Sequence, residues 1–194
     1  MSKEKHQTPR IAPQPVSDMR EEWIKTIERI PGSGLKGLYA PVNVLGTLMY
    51  TPRTLGQFLD YWVTSKLEMG LSVREQELVI LRMGYLYRSN YVWKHHVPVA
   101  VEFGVNEREL EACKSVTVPE DVFSLRETAL LVLTDEMMEH RTIRQEIWEK
   151  WSDELDKPVI IDLISLISQY VLFALVNNVM QVEIESPLHD MMSL

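Results

Sequence analysis

Ser72-Val-Arg-Glu-Gln-Glu-Leu-Val-Ile-Leu81 has a near copy further along the chain, Ser124-Leu-Arg-Glu-Thr-Ala-Leu-Leu-Val-Leu133. In each, a serine is followed three residues later by glutamate and then by an apolar run. This is the pattern of a capping box, in which the serine and glutamate side chains satisfy free N–H groups at a helix start. Capping explains what the copies share. It does not explain their main difference, because Glu77 stands in the first where Ala129 stands in the second, beyond the box.

Working outward from these two starts, apolar residues recur at three and four positions more often than at two. No run alternates like a half-buried strand. The pattern predicts an all-α protein. Asp18 is placed to cap a helix reaching about Ile30, and Pro31-Gly32-Ser33-Gly34 then forces a loop. Thr51-Pro52 opens a helix that Gly70 closes. The helix from Ser72 is expected to reach Ser89 or Asn90, and the next to end at Gly104. Asn106 with Glu109 starts a short helix, and further helices are expected at about 124–139, 142–154 and 158–182. One helical domain, residues 18–185, is thus flanked by a flexible arm (1–17), where Pro9, Pro13 and Pro15 oppose a helix, and a tail (186–194).

Composition narrows the classes of function. The 194 residues are 45% hydrophobic, enough for one sizeable core, and carry a formal charge of -8. That negative background opposes phosphate binding and argues against a nucleic-acid partner. Cys113 is the only cysteine, so no intrachain disulfide or dithiol pair can form, which fits a cytoplasmic location. Residues 1–17 lack the apolar region of a signal peptide. The long apolar segment from Val159 to Met180 is interrupted by Asp162, Gln169, Asn177 and Asn178, which argues for a core or interface helix rather than a membrane span.

On a helix, the neighbours of Glu77 are Val73, Ile80, Leu81, Gly84 and Arg88, so the carboxylate lies in the apolar stripe. There it must be paired, hydrogen-bonded or protonated, with Arg88 or a histidine as the candidate ion-pair partner. Gly84 leaves room above the backbone for another helix or a small ligand. The second informative segment is Asn90-Tyr-Val-Trp-Lys-His-His-Val-Pro-Val-Ala100. Helical projection surrounds His96 with Val92, Trp93, Val99, Ala100 and Phe103. It sets His95 about 100° away, so the two imidazoles are expected to face different surroundings. Their spacing does not suit a shared metal, and none is expected. Pro98 should bend the helix just beyond His96. Cys113, followed by Lys114, is a weak candidate for a slightly activated thiol.

The residues Leu71 to Glu77, Tyr91-Val-Trp-Lys-His-His96, Gly104 and Glu109-Leu110 together resemble the carboxymuconolactone decarboxylase family. Its all-helical fold is shared with the alkyl hydroperoxidase D proteins, and the resemblance extends over roughly residues 35–185. The redox branch has a CxxC pair; its positions here hold Ser89 and Val92, so thiol peroxidase activity is not implied. The decarboxylase branch is matched at Tyr91, Trp93 and His96, but Val92 replaces a glutamate. The resemblance implies a cofactor-independent decarboxylase acting on a small lactone or unsaturated acid. It casts His96 and Glu77 as catalytic groups and Tyr91, Trp93, Arg88, Ser89, His95 and Arg74 as substrate contacts, with His95 a pocket-wall or interface residue. Arg74, Arg88 or Lys94 are candidates to hold a carboxylate. Another cofactor-free lyase, isomerase or hydrolase, or an oligomeric binding protein, fits the same residues. A homo-oligomer, trimer or hexamer, is expected, with a small molecule as the other partner.

Overall fold

The computed structural model describes residues 8–30, 40–185 and 188, and within them nine α-helices and no strand. The helices are α1 (Glu21–Ile27), α2 (Val42–Leu48), α3 (Pro52–Glu68), α4 (Val73–Leu86), α5 (Asn90–Glu102), α6 (Glu107–Ala112), α7 (Leu125–His140), α8 (Gln145–Trp151) and α9 (Lys157–Met180). Short 3-10 turns occupy Val16–Asp18 and Ser152–Glu154. The loop expected at 31–34 lies outside the described residues.

Capping fixes most starts. Ser72 with Glu75, Asn106 with Glu109 and Ser124 with Glu127 each form a complete box, with side chain and backbone bonded both ways. Three expectations are corrected. Asp18 sits in the 3-10 turn, and α1 starts after Arg20. α4 stops at Leu86 rather than at Ser89 or Asn90, because Arg88 takes a left-handed φ of 51° and reverses the chain. α2 was not anticipated, being seven residues long, without a capping side chain and interrupted by Gly46. That glycine has a packing reason. A Cβ there would lie 2.3 Å from the Gln14 carbonyl oxygen, since residues 8–17 of the arm run against the body. Gln14 N–H donates to the Gly46 carbonyl at 3.1 Å and Arg10 N–H to that of Met180 at 2.9 Å.

α4 is the central element. Gln76 through Gly84 are all buried, so their polar side chains must be satisfied inside the protein. Gln76 Nε2 donates to the carbonyls of Lys66 and Leu71. Arg82, 1% exposed, donates to Asp135 at 2.6 and 2.7 Å and to the carbonyls of Cys113 and Ser115, tying down the α6–α7 connection. The repeated Ser-x-Arg-Glu boxes lie together. Arg74 pairs with Glu127 at 2.7 Å, and Arg126 pairs with Glu75 at 2.6 Å. The echo in sequence is therefore also a reciprocal contact between α4 and α7.

Two apolar clusters flank α4. One, from Val79, Ile80 and Met83, joins α1, α2, α3 and α9; the other, from Leu78 and Leu81, joins Trp93, Val97, Cys113 and Phe123. α9, 24 residues long, is apolar and long enough to cross a membrane, but Leu163, Leu166, Tyr170, Phe173 and Ala174 among its residues are buried in the first cluster. Its outward face keeps Ile161, Ile164, Leu172, Leu175 and Val179 exposed.

Candidate active site

The α4–α5 hairpin brings Glu77 to His96. After Arg88 reverses the chain, the Ser89 hydroxyl caps α5 by accepting from the Val92 N–H. α5 then returns so close to α4 that a Cβ on Gly84 would touch the Trp93 backbone nitrogen at 3.4 Å. The space above Gly84 thus holds a helix. Further along the same crossing, Nδ1 of His96 donates to Glu77 Oε2 at 2.6 Å. The other carboxylate oxygen, Oε1, accepts from Lys66 Nζ of α3 at 3.3 Å.

Glu77 is 1% exposed. Burial alone opposes its ionisation most strongly, but the charges and hydrogen bonds of His96 and Lys66 outweigh it and hold the carboxyl at about 2. Burial is also the largest influence on His96 and lowers its pKa, with the Lys66 ammonium acting in the same direction and Glu77 against them. For this coupled pair the physical outcome is an ionised Glu77 and a neutral imidazole near pH 7. Because Nδ1–H is committed to the carboxylate, Nε2 carries the lone pair. Tyr170 packs edge-on against the His96 ring at 5.2 Å and has its own hydroxyl pushed up to about 12, chiefly by burial.

His95 makes a second pairing with a carboxylate. Its Nδ1–H donates to the Tyr91 carbonyl at 2.8 Å, its ring stacks on Tyr91 at 4.1 Å, and Nε2 lies 2.8 Å from Glu185 Oε2. Glu185 Oε1 accepts from the Tyr91 hydroxyl and from the Asn43 N–H, both at 2.9 Å. The Tyr91 oxygen in turn accepts from the Val44 N–H at 3.2 Å. Burial opposes the Glu185 charge, yet His95, Asn43 and Tyr91 together lower its pKa.

Between these two pairs lies a cavity of about 360 Å³, counting its open mouth. It is walled by Pro41, Val44, Leu45 and Trp62, by Tyr91, Val92, His95 and His96 of α5, and by Tyr170, Phe173 and Asn177 of α9. The wall is mostly apolar and aromatic, with a few converging polar groups, as small-molecule sites are. Asn177 adds a buried Oδ1 that finds no hydrogen-bond partner among the described residues.

Several sequence expectations are corrected here. His95 and His96 line one cavity, although they hold different carboxylates, Glu185 and Glu77. Trp93 is fully buried in the other cluster, beneath Lys114, so it does not wall the site. Phe103 is 45% exposed. Arg74 is taken up by Glu109, Glu127 and the Gly104 carbonyl. Arg88 is exposed at the hairpin turn, Ser89 serves as a buried cap, and Lys94 is buried away from the cavity wall. Lys66 and Glu185 were missed. Lys66 looks like a surface residue near the end of α3, and Glu185 follows α9 in an irregular segment with no motif around it.

Residues 51–135, from the start of α3 into α7 and including Glu77, His95 and His96, match the model of the carboxymuconolactone decarboxylase family. Over most of the chain the fold is that of the alkyl hydroperoxidase D-like proteins. The debrominase Bmp8 superposes with a TM-score of 0.73 at 15% identity, covering 92% of this chain and 93% of that one. An uncharacterised peroxidase-related protein from Silicibacter sp. TM1040 gives 0.70 at 16% identity, covering 94% and 92%. ATU0492 from Agrobacterium tumefaciens, a protein of unknown function related in its description to the antioxidant defence protein AhpD, gives 0.64 at 14%, covering 71% and 94%. At these identities the likeness is one of fold. No curated protein sequence matches the chain.

Cys113 stands apart from the cavity, 1% exposed in the second cluster, and burial pushes its thiol up to about 12 rather than lowering it. Native protein is therefore expected to react with a thiol-specific disulfide reagent at least ~100-fold more slowly than protein unfolded in guanidinium, since only the thiolate reacts and folding hides it. Equal rates would show that the cysteine is accessible and activated.

Proposed function

We propose that the protein is a cofactor-independent carboxy-lyase acting on a small unsaturated lactone or carboxylic acid, with His96 as its acid–base group and Glu77 orienting it. The observation that carries this reading is the Glu77–His96 contact of 2.6 Å beside an apolar cavity. The chemistry balances without a cofactor. The substrate's carboxylate leaves as CO2, and the electron pair of the broken C–C bond spreads through the conjugated ring onto oxygen as a dienolate. His96, protonated at Nε2 by solvent, then delivers that proton to carbon and returns to its neutral form. Tyr91, Tyr170 and Phe173 supply the wall against which a flat ring packs.

A second reading follows from the lack of arginine or lysine among the described residues that line the cavity. A neutral ring substrate, isomerised by proton transfer through the same Nε2, does not need a cation. The deciding experiment incubates the protein in deuterated water with small lactone acids and with neutral unsaturated lactones. CO2 release with one deuterium placed on a ring carbon that carries charge in the dienolate supports the lyase. Deuterium exchange without CO2 supports the isomerase, and neither product with neither ligand raising Tm removes both.

The exposed Ile161, Ile164, Leu172, Leu175 and Val179 form an apolar stripe along α9, which supports self-association. Light scattering after size exclusion is expected to give three or six times the chain mass of 22.6 kDa; a single-chain mass at micromolar concentration rules out the assembly.

A further inference from the structure

Of the polar groups that meet Glu77, Lys66 is the one whose placement the helix pattern leaves unexplained. An ammonium near the end of α3 normally reaches into solvent, since its stem is flexible and its head strongly hydrated. Here the side chain is only 12% exposed. It turns inward, with Nζ 3.3 Å from Glu77 Oε1 and 6.0 Å from the centre of the Tyr170 ring. Drawing a lysine in is costly unless its charge is matched. The matching carboxylate is the one whose other oxygen holds His96. Glu77 is therefore bridged, Lys66 on Oε1 and His96 on Oε2, with each partner delivered by a different helix.

We propose that Lys66 is a positioning residue of the site: it satisfies Glu77 from behind, so that the carboxylate is ionised without a proton on His96 and the imidazole presents a free Nε2 to the cavity. The role rests on the acid–base reading of His96 but concerns the state of the ring rather than the reaction it performs. The physical logic is one of counting charges. A buried carboxylate with one histidine as its sole partner draws a second proton onto that ring, giving an imidazolium–carboxylate pair with no lone pair to offer. With Lys66 already present, the pair Lys66–Glu77 is neutral, and a further positive charge on His96 is repelled. Among the described residues, the groups facing His96 from the packed elements are Glu77 of α4, Lys66 of α3, Tyr170 of α9 and the adjacent His95. Of these, Lys66 is the cation independent of histidine protonation. Glu185 offers a contrast, since its other contacts among the described residues, the Tyr91 hydroxyl and the Asn43 N–H, are neutral donors rather than an ammonium.

The test follows the ring directly by NMR, through the Cε1–H shift of His96 against pH, assigned by its disappearance in His96→Asn. This needs no substrate, so it stands or falls separately from the proposed reaction. In Lys66→Gln, which retains an N–H donor to Glu77 without charge, the His96 midpoint is expected to rise by about one pH unit or more, and Lys66→Arg is expected to restore it. Where turnover is measurable, the acid limb of the kcat/KM profile moves with it. Should Lys66→Gln prove unfolded, Lys66→Met and Lys66→Arg titrated in the presence of a stabilising osmolyte provide the same comparison. A midpoint unchanged in a folded, uncharged variant overturns the proposal, as does a rise that arginine fails to reverse.

Discussion

His96→Asn is expected to lower kcat/KM by about 10³-fold while leaving the protein folded, with Tm within a few degrees of the parent. General acid–base catalysis by one placed side chain accounts for roughly 10²–10⁴ in rate, and the other titratable side chains of the described wall are engaged elsewhere, Tyr91 with Glu185 among them. His95 is within the cavity, but both its nitrogens are directed elsewhere, Nδ1 to the Tyr91 carbonyl and Nε2 toward Glu185. Tyr170 has its hydroxyl proton held by burial, with a pKa of about 12. Asparagine retains a donor for Glu77, so the carboxylate is not stranded. The measurement is steady-state kinetics on whichever lactone or unsaturated acid is turned over, alongside thermal unfolding. A residual rate above about a tenth of the parent removes His96 from the chemistry.

The second large effect concerns stability. Glu77→Leu leaves the Lys66 ammonium, 12% exposed, and the His96 Nδ1–H without their acceptor. Removing one partner of a buried charged pair costs about 3–5 kcal/mol, which for a chain of this size lowers Tm by roughly 10 °C. The same group makes the parent sensitive to acid. With its folded pKa at about 2, below the ordinary 4.5, Glu77 binds its proton less readily in the native state than in the unfolded one. Its contribution is fully present above pH 4.5 and is lost as pH falls toward 2, on the order of 3 kcal/mol in all. The lowered pKa of His96 acts in the same sense and starts earlier. Below its ordinary 6.5, the unfolded chain takes up a proton that the buried ring resists, so stability begins to fall there. Chemical denaturation from pH 7 to 3 is expected to show a continuous decline in the parent. The portion below pH 4.5 should be flattened in Glu77→Leu, and a parental curve independent of pH over this range contradicts the paired, ionised carboxylate.

How much of this was legible beforehand can be followed residue by residue. Helix starts were readable because capping is local: Ser72, Asn106 and Ser124 each specify a start through side chains only three residues apart. Glu77 and His96 were readable for a related reason. Each is a polar group in an apolar stripe, and burial without a partner is too costly to be left unanswered. The candidates that failed were chiefly cations and an aromatic that the family resemblance implied. Arg74 is absorbed by Glu109 and Glu127, and Trp93 turns into the opposite cluster. Periodicity places a residue on a helix face but does not say which neighbour that face meets.

The chain by itself thus determined an all-helical fold, its principal helix starts, and a carboxylate and an imidazole each in need of a buried partner. Those are consequences of spacing within a few turns of backbone. Only the tertiary structure decided that Lys66 of α3 stands behind Glu77, that Glu185 closes on His95 and Tyr91, and that both histidines border one cavity. These contacts join residues 11 and 94 positions apart through the packing of separate elements. No local periodicity encodes them, because they depend on how α3, α9 and the segment after it close around the α4–α5 hairpin.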